Sequence, residues 1–398
     1  MSEHVLVINA GSSSLKYSLI DAGSGKAAGS GLVERIGEAE GRHLHRGPDG
    51  ETSTDGKIDT HEDALRAALD AFETHGPSLD AVEVAAVGHR VVHGGSRFAD
   101  PVLIDDELID AVTALVPLAP LHNPANLEGM RVARRLFPEL PQVAVFDTAF
   151  HQTLEPAAYT YAVPLAWRDD HDIRRYGFHG TSHAFVSAES ARFLGRDPAG
   201  LNVIVLHLGN GCSAAAIRGG VSVDTSMGMT PLEGLVMGSR SGDLDPAIHA
   251  HLVRELGWTV EEVDHALNFD SGLKGLAGGN DFRELSTRVE AGDPVAQLAF
   301  DVYCHRIKKY VGAYYAVLGT VDAIVFTAGV GQNGADVRAA SLGGLERLGI
   351  RIDAQRNDAA ADGSRLVSAD DSPVAVLVIP TNEEWQIARE ALAVVGGS

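Results

Sequence analysis

The hydrophobic and polar positions along the chain define two alternating kinds of segment. Short apolar runs have the length and composition of buried strands, and longer segments between them repeat apolar residues at helical spacing. The strand-like runs cover residues 5–8, 17–20, 85–92, 142–146, 202–208, 323–327 and 374–379. The helical segments cover residues 62–74, 123–136, 182–194, 293–317, 336–348 and 383–395.

This alternation predicts an α/β protein whose central strands are mainly parallel. One stretch departs from the pattern: residues 37–60 are rich in Gly, Asp, His and Thr and show no periodicity. Segments of this composition form loops and turns, so we expect a surface excursion or an irregular hairpin there.

Two stretches far apart in the chain resemble one another. "VLVINAGSSSLKYSLID" begins at Val5, and "VIVLHLGNGCSAAAIRGG" begins at Val203. Each consists of a strand, a turn rich in Gly, Asn or Ser, and a second strand, and an ungapped alignment places Gly11 on Gly211. Such a repeat is expected of a protein with two related lobes, although a coincidence between two hairpins would look the same.

Composition narrows the class of protein. A chain of 398 residues is longer than a single hydrophobic core usually supports. A composition of 45% apolar and 22% charged residues is typical of a folded soluble protein. The apolar runs are too short to span a membrane, and we expect no secretory signal at the N-terminus. The isolated cysteines Cys212 and Cys304 favour a cytoplasmic protein with reduced thiols. A net charge of −22 argues against nonspecific nucleic-acid binding and anionic membranes as partners.

Several catalytic motifs can be excluded. The turn "GSSSL" at Gly11 lacks the second glycine of a hydrolase nucleophile elbow, and "GSRSG" at Gly238 has arginine in place of the serine. "GSGKAA" at Gly23 has neither the spacing nor the hydroxyl of a Walker A loop.

Two further motifs leave alternatives open. "FTAGVGQNG" contains glycines at Gly329, Gly331 and Gly334 after a strand, which fits a dinucleotide loop but equally any loop that binds phosphate through backbone N–H groups. His179 and His183 have the spacing of two zinc ligands, but Gly180 stands where a zinc protease has glutamate. A capped helix start at "GTSHAF" is the simpler interpretation.

The remaining candidates are polar residues beside glycines or at strand ends. Arg90 and Arg240 lie in glycine-bearing loops where a guanidinium can bind a carboxylate or phosphate in bidentate fashion. Asp147 ends a strand, a common place for ligand-facing carboxylates in open α/β sheets. These residues alone predict a two-lobed α/β protein that binds a phosphorylated ligand.

Taken together and in order, the motifs resemble those of the acetate kinase family. The resemblance covers nearly the whole chain and rests on "INAGSSSLKYSL", "GHRVVHGG", "PLHNPANL", "FDTAFH", "RYGFHGTSHAFVS", "HLGNG", "GSRSGDLDP", "DFR", "FTAGVGQN" and "PTNEE". This family belongs to the sugar-kinase, Hsp70 and actin superfamily. The resemblance therefore implies two pseudo-symmetric ribonuclease H-like lobes around a nucleotide cleft.

The resemblance implies reversible, in-line phosphoryl transfer between ATP and acetate, giving acetyl phosphate and ADP. Arg90 would bind the acetate carboxylate, and His179 and Arg240 would stabilise the transferring phosphoryl group. The methyl pocket would consist of Val92, Leu121, Phe178 and Pro231.

Phosphate, nucleotide and metal contacts are also implied. Ser12 and Ser14 would contact phosphate, and Lys16 would neutralise it. Asn9 and Glu383 would bind Mg²⁺, with Mn²⁺ as a substitute; the choice between Glu383 and Glu384 stays open. The matching nucleotide contacts are His207, Leu208, Gly209, Asn210, Gly211, Asp281, Phe282, Arg283, Gly329, Val330, Gly331, Gln332 and Asn333.

The family assigns Asp147 as a catalytic acid or base. Acetate is already ionised at neutral pH and has no proton to lose, so we expect Asp147 to orient the substrate or the magnesium shell instead. Two positions depart from the family pattern: Gln332 replaces a usual glutamate, and Cys212 stands where a small hydroxyl residue is common.

We expect one lobe at residues 1–150 plus 383–398, for the acyl group, phosphate and Mg²⁺, and another at 151–382, for the nucleotide and for homodimer formation. A propionate kinase of the same family is the nearest alternative. An actin- or Hsp70-like partner-binding ATPase and an NAD oxidoreductase are alternatives of other classes.

Overall fold

The computed structural model describes residues 3–397. Its contacts divide the described chain into two compact units. Unit 1 comprises residues 3–150 together with 382–397, and unit 2 comprises residues 151–381. Each unit is built around one mixed β-sheet flanked by helices.

The strands and helices of residues 3–397 follow one another along the chain in α/β fashion. The strands are β1 His4–Ala10, β2 Ser14–Asp21, β3 Ala27–Glu34, β4 Gly41–Gly47, β5 Gly50–Gly56, β6 Val84–Val91, β7 Val102–Leu103, β8 Gln142–Phe146, β9 Asn202–Leu208, β10 Cys212–Arg218, β11 Val221–Thr225, β12 Ala323–Thr327, β13 Arg365–Leu366 and β14 Ala375–Val378. The α-helices are α1 His61–His75, α2 Asp106–Ala114, α3 Asn123–Leu136, α4 Pro156–Tyr159, α5 Leu165–His171, α6 Gly180–Leu194, α7 Ala247–Leu256, α8 Val260–Phe269, α9 Gly272–Ala277, α10 Phe282–Glu290, α11 Pro294–Leu318, α12 Ala328–Asn333, α13 Ala335–Leu342, α14 Ala354–Asp358 and α15 Glu383–Gly396.

The two sheets share one topology at their centres. The order in unit 1 is β5-β4-β3-β2-β1-β6-β8-β7, and the order in unit 2 is β11-β10-β9-β12-β14-β13. In each unit the first strand pairs antiparallel with the strand that follows it and parallel with a later strand: β1 with β2 and β6, and β9 with β10 and β12. The repeat predicted from the two hairpin sequences is therefore confirmed.

The prediction of mainly parallel central strands holds for only part of each sheet. The parallel strands are β1, β6 and β8 in unit 1 and β9, β12 and β14 in unit 2. The hairpin strands on the other side are antiparallel. The expected irregular excursion at residues 37–60 is in fact a regular hairpin of β4 and β5, which extends the sheet of unit 1.

The core of unit 1 lies on both faces of its sheet. On one face, Leu6, Ile8 and Tyr17 pack with Phe72 of α1. On the other face, Val5 and Val7 of β1 and Val143 and Val145 of β8 pack against α15. Because β1 is buried on both faces, its sequence reads as a continuous apolar run rather than an alternating one.

The last helix is fixed to unit 1 by its first turn. Asn382 caps α15 by accepting a hydrogen bond from the backbone N–H of Trp385 at 3.0 Å. The indole N–H of Trp385 donates to the carbonyl of Ala22 at 2.9 Å, and the Asn382 amide donates to the carbonyl of Gly25. Gly25 has φ +70°, and a Cβ there would lie 2.4 Å from the indole ring, so this turn needs glycine.

None of the helices within residues 3–397 combines the length and apolarity needed to cross a membrane.

Gly88 in β6 allows α15 to approach the sheet, which gives a stability prediction. A Cβ at this position would lie 2.8 Å from Cγ2 of Ile387, which is 1% exposed and cannot move aside. We expect Gly88→Ala to lower the free energy of unfolding of unit 1 by about 1–3 kcal/mol. The measurement is urea unfolding followed by Trp385 fluorescence in a Trp167→Phe, Trp258→Phe background.

Gly56→Ala is the matched control, because nothing lies within 4 Å of a Cβ placed there. We expect it to change the free energy of unfolding by less than about 0.5 kcal/mol. Equal stability of the Gly88→Ala variant and the parent would contradict tight packing of α15 on β6.

Candidate active site

The candidate residues of unit 1 meet at one edge of its sheet. β1, β6 and β8 are parallel neighbours, so their carboxyl ends lie at the same edge. Asn9 lies near the end of β1, Arg90 lies near the end of β6, and Asp147 follows β8 directly. In open α/β sheets ligands bind at such an edge.

Arg90 and Asp147 form a bidentate ion pair. The Nε–H of Arg90 donates to Oδ1 of Asp147 at 2.9 Å, and an Nη2–H donates to Oδ2 at 2.7 Å. The Asp147 side chain is 2% exposed and that of Arg90 is 20% exposed, so the pair is shielded from water. Although burial lowers it, the pKa of Arg90 is raised overall by the nearby carboxylates of Asp147, Glu383 and Glu384.

Two further carboxylates come from the first turn of α15. Oε2 of Glu383 lies 3.9 Å from Nη1 of Arg90, and Glu384 pairs with Lys16 of β2. Burial, together with the negative charges of Asp147 and Glu384, raises the pKa of Glu383. Burial also acts to raise the pKa of Glu384, but the ion pair with Lys16 leaves it lowered.

The unit 1 cluster therefore carries three carboxylates against two cationic side chains. An excess of negative charge held by oxygen ligands suits Mg²⁺, which usually takes one or two carboxylates and completes its shell with water and substrate phosphates. Within residues 3–397, no three His, Cys, Asp or Glu side chains form a metal cluster by themselves.

The serine hairpin predicted to contact phosphate lies between β1 and β2. Ser12 is exposed and Ser14 is half-buried. The backbone N–H of Gly11 donates to the carbonyl of Ser14 at 2.8 Å, which closes the turn. The carbonyl of Gly11 lies 2.7 Å from Nε2 of His61, so α1 anchors the same turn.

Two buried asparagines hold this edge together, a role that was not predicted from the sequence. The Asn126 amide donates to the carbonyl of Ala10 at 2.8 Å, and its oxygen accepts from the N–H of Val92 at 3.0 Å. Asn123 makes the corresponding two bonds to the backbone of His93. Both lie in the quoted motif "PLHNPANL", where two asparagines three residues apart at the start of a helix were the available signal.

In unit 2, His179 and Arg240 converge on Gly211. A Cβ at Gly211 would lie 3.5 Å from Nε2 and Cε1 of His179 and 3.7 Å from Nη1 of Arg240. The His179 ring stacks on His207, with centroids 4.2 Å apart. The predicted phosphoryl-stabilising residues are therefore neighbours, and glycine leaves the space beside them open.

Arg240 differs from Arg90 in its surroundings. Its guanidinium is half-buried, and its Nη1–H donates to the carbonyl of Pro231 at 3.3 Å. Among residues 3–397 it forms no ion pair with a carboxylate, and burial lowers its pKa. A desolvated cation of this kind gains from binding an anion.

The predicted capped start of α6 is wrong. Helix α6 begins at Gly180, and His179 occupies the capping position with φ +56° and no side-chain cap. Thr181 and Ser182 lie inside the first turn, where the Ser182 hydroxyl bonds Nδ1 of His207 and the hydroxyl of Thr381, each at 2.8 Å. The predicted helix at 336–348 also ends early, at Leu342.

Many of the predicted nucleotide residues line one cavity of unit 2, with a volume of about 940 Å³. A cavity of this size can hold a nucleotide. The residues that were predicted and line it are Gly209, Asn210, Asp281, Phe282, Arg283, Gly329, Val330 and Asn333. Other residues line it that were not predicted from the sequence, among them Asn280, Ser286, Ala335 and Asp336.

The other predicted nucleotide contacts lie elsewhere. Lys16 belongs to unit 1. His207, Leu208, Gly211, Gly331 and Gln332 do not line the cavity, and Leu208 and Gly331 are buried. The carbonyl of Gln332 accepts hydrogen bonds from Arg338 and Arg365, so this residue is anchored through its backbone.

Two residues of the cavity also have structural roles. Asp281 caps α10 through the N–H of Arg283, and its ion pair with Arg283 lowers the pKa of Asp281 to about 2. Asn280 donates to the side-chain oxygen of Asn210 at 3.3 Å. Cys212, which stands where a small hydroxyl residue is common, is fully buried, and burial raises the pKa of its thiol to about 11.

The predicted methyl-pocket residues are shared between the units. Val92 and Leu121 belong to unit 1; Val92 is half-buried and Leu121 is 45% exposed. Phe178 and Pro231 belong to unit 2, and Phe178 is 2% exposed.

Comparisons with known proteins place this geometry in a family. The acetokinase family model matches residues 4–389. The chain is 58% identical to the acetate kinase of Leifsonia xyli subsp. xyli, over 98% of each protein. It is 56% identical to the acetate kinase of Streptomyces coelicolor, over the whole chain and 98% of that protein.

Solved structures agree with the sequence relatives. The acetate kinase of Porphyromonas gingivalis matches with a TM-score of 0.94 at 41% identity, covering 99% of this chain and 100% of that one. A propionate kinase from Francisella tularensis matches with a TM-score of 0.92 at 42% identity, over 98% and 99% of the two chains. The α/β fold of two mixed sheets and the resemblance seen in the motifs are confirmed, and the chain belongs to the acetokinase family.

Proposed function

We propose that this chain catalyses the reversible transfer of the γ-phosphoryl group of ATP to acetate, giving acetyl phosphate and ADP. The observation that carries the proposal is the clustering of the predicted nucleotide residues around one cavity of unit 2, in a chain whose relatives at 51–58% identity are named acetate kinases. The propionate kinase structure is a same-family neighbour at 42% identity, so propionate is the second candidate substrate.

In this proposal Arg90 binds the carboxylate of acetate, and the ion pair with Asp147 determines which N–H groups of the guanidinium are left for it. A guanidinium has five N–H groups, and Asp147 takes the Nε–H and one Nη2–H. The second Nη2–H and one Nη1–H form the other fork of the guanidinium. That fork is planar and matches a carboxylate or an acyl phosphate.

Asp147 is then an orienting residue rather than a proton acceptor. Its bidentate contact fixes the plane of the guanidinium, and an acetate that is already ionised has no proton to give. The buried carboxylate also keeps the Arg90 charge compensated in a poorly solvated place.

Unit 2 supplies the groups for the phosphoryl oxygens and the nucleotide. Phosphoryl transfer needs positioning and charge stabilisation more than covalent chemistry. Arg240 offers an uncompensated guanidinium, and His179 lies next to it across Gly211. The cavity at Gly209, Asp281 and Gly329 would hold the nucleotide.

Mg²⁺ fits the unit 1 cluster and would neutralise phosphate charge when it is bound with ATP. Glu383 and Asn9 are the proposed ligands, because Glu384 is already engaged by Lys16. Burial, and to a smaller extent the nearby carboxylates of Asp147 and Glu384, raises the pKa of Glu383, and a cation bound there would favour its ionised form. Mn²⁺, which accepts the same oxygen ligands, would substitute.

We also propose a cytoplasmic location, which the two free, buried thiols of Cys212 and Cys304 support.

Replacing Asp147 tests its orienting role. We expect Asp147→Asn to lower kcat/KM for acetate by roughly 10²-fold, because a displaced guanidinium misplaces the reacting carboxylate. The affinity for ADP, measured by isothermal titration calorimetry, should change by less than about 2-fold, since the residues that line the proposed nucleotide cavity belong to unit 2.

Asp110→Asn is the control, because Asp110 is an exposed carboxylate on α2 that takes no part in the cluster. Near-normal turnover of Asp147→Asn would remove Asp147 from the mechanism.

A hydroxamate assay with Mg-ATP and a series of short acids tests the reaction and the acceptor. We expect acyl phosphate with acetate, a kcat/KM for propionate roughly 10-fold lower, and a still lower value for butyrate, since one methylene is worth about 1–3 kcal/mol in an apolar pocket. Excess EDTA should abolish the signal, and Mn²⁺ should restore it.

A higher kcat/KM for propionate than for acetate would make propionate the substrate. A complete lack of acyl phosphate with every acid would contradict the kinase proposal and favour an actin- or Hsp70-like ATPase.

The surface of unit 2 supports a homodimer. Helix α7 buries none of its side chains within the described chain, and large apolar residues in and near it are exposed, including Leu256 at 60% and Val260 at 66%. Apolar surface of this kind usually marks an interaction site. We expect sedimentation velocity to give twice the 41.9 kDa chain mass, and Leu256→Asp to weaken the association.

Leu103→Asp, at an exposed apolar position of unit 1, is the control and should leave the mass unchanged. A wild-type protein that stays monomeric at micromolar concentration would contradict the dimer.

A further inference from the structure

Two histidines of unit 2 share one serine hydroxyl. Nδ1 of His179 and Nε2 of His183 each lie 2.8 Å from Oγ of Ser213. Ser213 belongs to β10 and is fully buried, and His183 is fully buried in the first turn of α6. The function proposed above uses His179 and gives no role to the other two residues.

A shared hydroxyl couples the protonation of the two rings. A serine has one proton to donate and accepts through its lone pairs. Ser213 uses both its proton and a lone pair when one imidazole nitrogen accepts the serine proton and the other donates its own. If Ser213 accepted from both rings, its buried O–H would have no acceptor among the described residues. With both rings neutral, only two arrangements satisfy Ser213, and they place the His179 proton on opposite nitrogens.

The surroundings of His183 select between these arrangements. Burial, together with the neighbouring imidazoles of His151 and His207, holds the pKa of His183 well below its usual value, so the ring is neutral. Its Nδ1 is buried and has no hydrogen-bond partner among the described residues. A proton on Nδ1 would therefore be a buried N–H donor without an acceptor, whereas a proton on Nε2 is donated to Ser213.

We propose that Ser213 and His183 are positioning residues that hold His179 as a neutral imidazole with its proton on Nε2. His183 donates from Nε2 to Ser213, and the Ser213 hydroxyl donates to Nδ1 of His179. The proton of His179 is then on Nε2, the nitrogen whose edge of the ring faces Gly211 together with Nη1 of Arg240. This inference rests on the role proposed for His179 and specifies the chemical form in which it acts.

The selected tautomer matters for an anionic ligand. An imidazole with its proton on Nε2 presents a donor to a phosphoryl oxygen, whereas the other tautomer presents a lone pair that would repel it. A neutral donor placed beside Arg240 adds a hydrogen bond without adding a second full charge. A preorganised group of this kind needs no rearrangement during the reaction.

The same arrangement bears on the two-histidine motif. His179 and His183 have the spacing of zinc ligands, yet Nδ1 of one and Nε2 of the other face the Ser213 hydroxyl. Both contacts lie at the length of an ordinary hydrogen bond to a hydroxyl. The spacing thus provides a hydrogen-bond relay, which fixes the tautomer of His179, instead of a pair of metal ligands.

The first test reads the tautomers directly, without substrates. Full-length protein carrying ¹⁵N-histidine is examined by long-range ¹H–¹⁵N correlation at pH 7.5, with signals assigned from His179→Gln and His183→Gln. We expect both rings in the Nε2–H form. An Nδ1–H or doubly protonated His179 would overturn the proposal, whether or not the protein proves to be a kinase.

The second test uses variants that change the relay. In Ser213→Ala, we expect His179 to populate the Nδ1–H form and kcat to fall roughly 10–10²-fold, with KM for ATP changed by less than about 2-fold. His183→Gln keeps a side-chain N–H donor toward Ser213 and should retain most of kcat, whereas His183→Leu, of similar size, should not.

The outcomes separate the relay from a packing role. If His183→Gln and His183→Leu lose kcat equally, or if Ser213→Ala leaves both the His179 tautomer and kcat unchanged, the proposal is overturned. If Ser213→Ala does not fold, the proposal is still tested by the tautomers of the wild-type protein and by the comparison of His183→Gln with His183→Leu. A failure of the hydroxamate assay would contradict the kinase function and leave the tautomer measurement valid.

Discussion

A guanidinium that is shielded from water needs nearby negative charge to compensate its own. In unit 1 this requirement at Arg90 explains which strands and which helix contribute side chains to the cluster. The bidentate partner, Asp147, is available because β6 and β8 are parallel neighbours that end at the same edge. The second carboxylate, Glu383, is available only because α15 packs on the other face of β1, β6 and β8. The compensation of the Arg90 charge therefore depends both on the strand order of the sheet and on the packing of α15 against it.

Unit 2 uses the opposite electrostatic arrangement on a related sheet. Its guanidinium, Arg240, contacts the carbonyl of Pro231 and the sulfur of Met237 but pairs with no carboxylate within the described chain, and the imidazole of His179 beside it is hydrogen-bonded to Ser213. In unit 1 the charges of Arg90 and Lys16 are therefore compensated by an excess of carboxylates. In unit 2 the charge of Arg240 is not compensated by any carboxylate of the described chain. One sheet topology supports both, because the residues that differ lie at the strand ends and in the loops and not in the shared core.

Much of the fold could be predicted because local pattern and final structure agree. The strands β8, β9 and β12 and the helix α3 have the predicted limits, since continuous apolar runs and helical spacing mark them clearly. The regular pairing of β4 with β5 was not predicted, because this segment is rich in Gly, Asp, His and Thr and no alternation of apolar and polar residues marks it. Helix α6 begins earlier than predicted because a histidine in the left-handed region precedes it.

The contacts between distant residues could not be predicted from one sequence. Lys16 and Glu384 are 368 positions apart, and Arg90 and Asp147 are 57 apart, so only the folded chain shows that they pair. Asn126 and Ser213 look like ordinary small polar residues in the sequence, and their importance comes from burial and from which atoms they face. The family resemblance supplied the identity of the candidate residues, and the structure adds the partners that hold them.

The placement of α15 also has a consequence for biosynthesis. Ribosomes deliver the chain from the N-terminus, and domains usually begin to fold as soon as they emerge. Unit 1 cannot do so completely, because Ile387, Ala388 and Ala391 of its core are translated only after all of unit 2. The nascent sheet of unit 1 must wait with one apolar face uncovered while residues 151–381 are made. The same late segment brings Glu383 and Glu384, so a chain released before α15 lacks both part of its core and part of its proposed metal site.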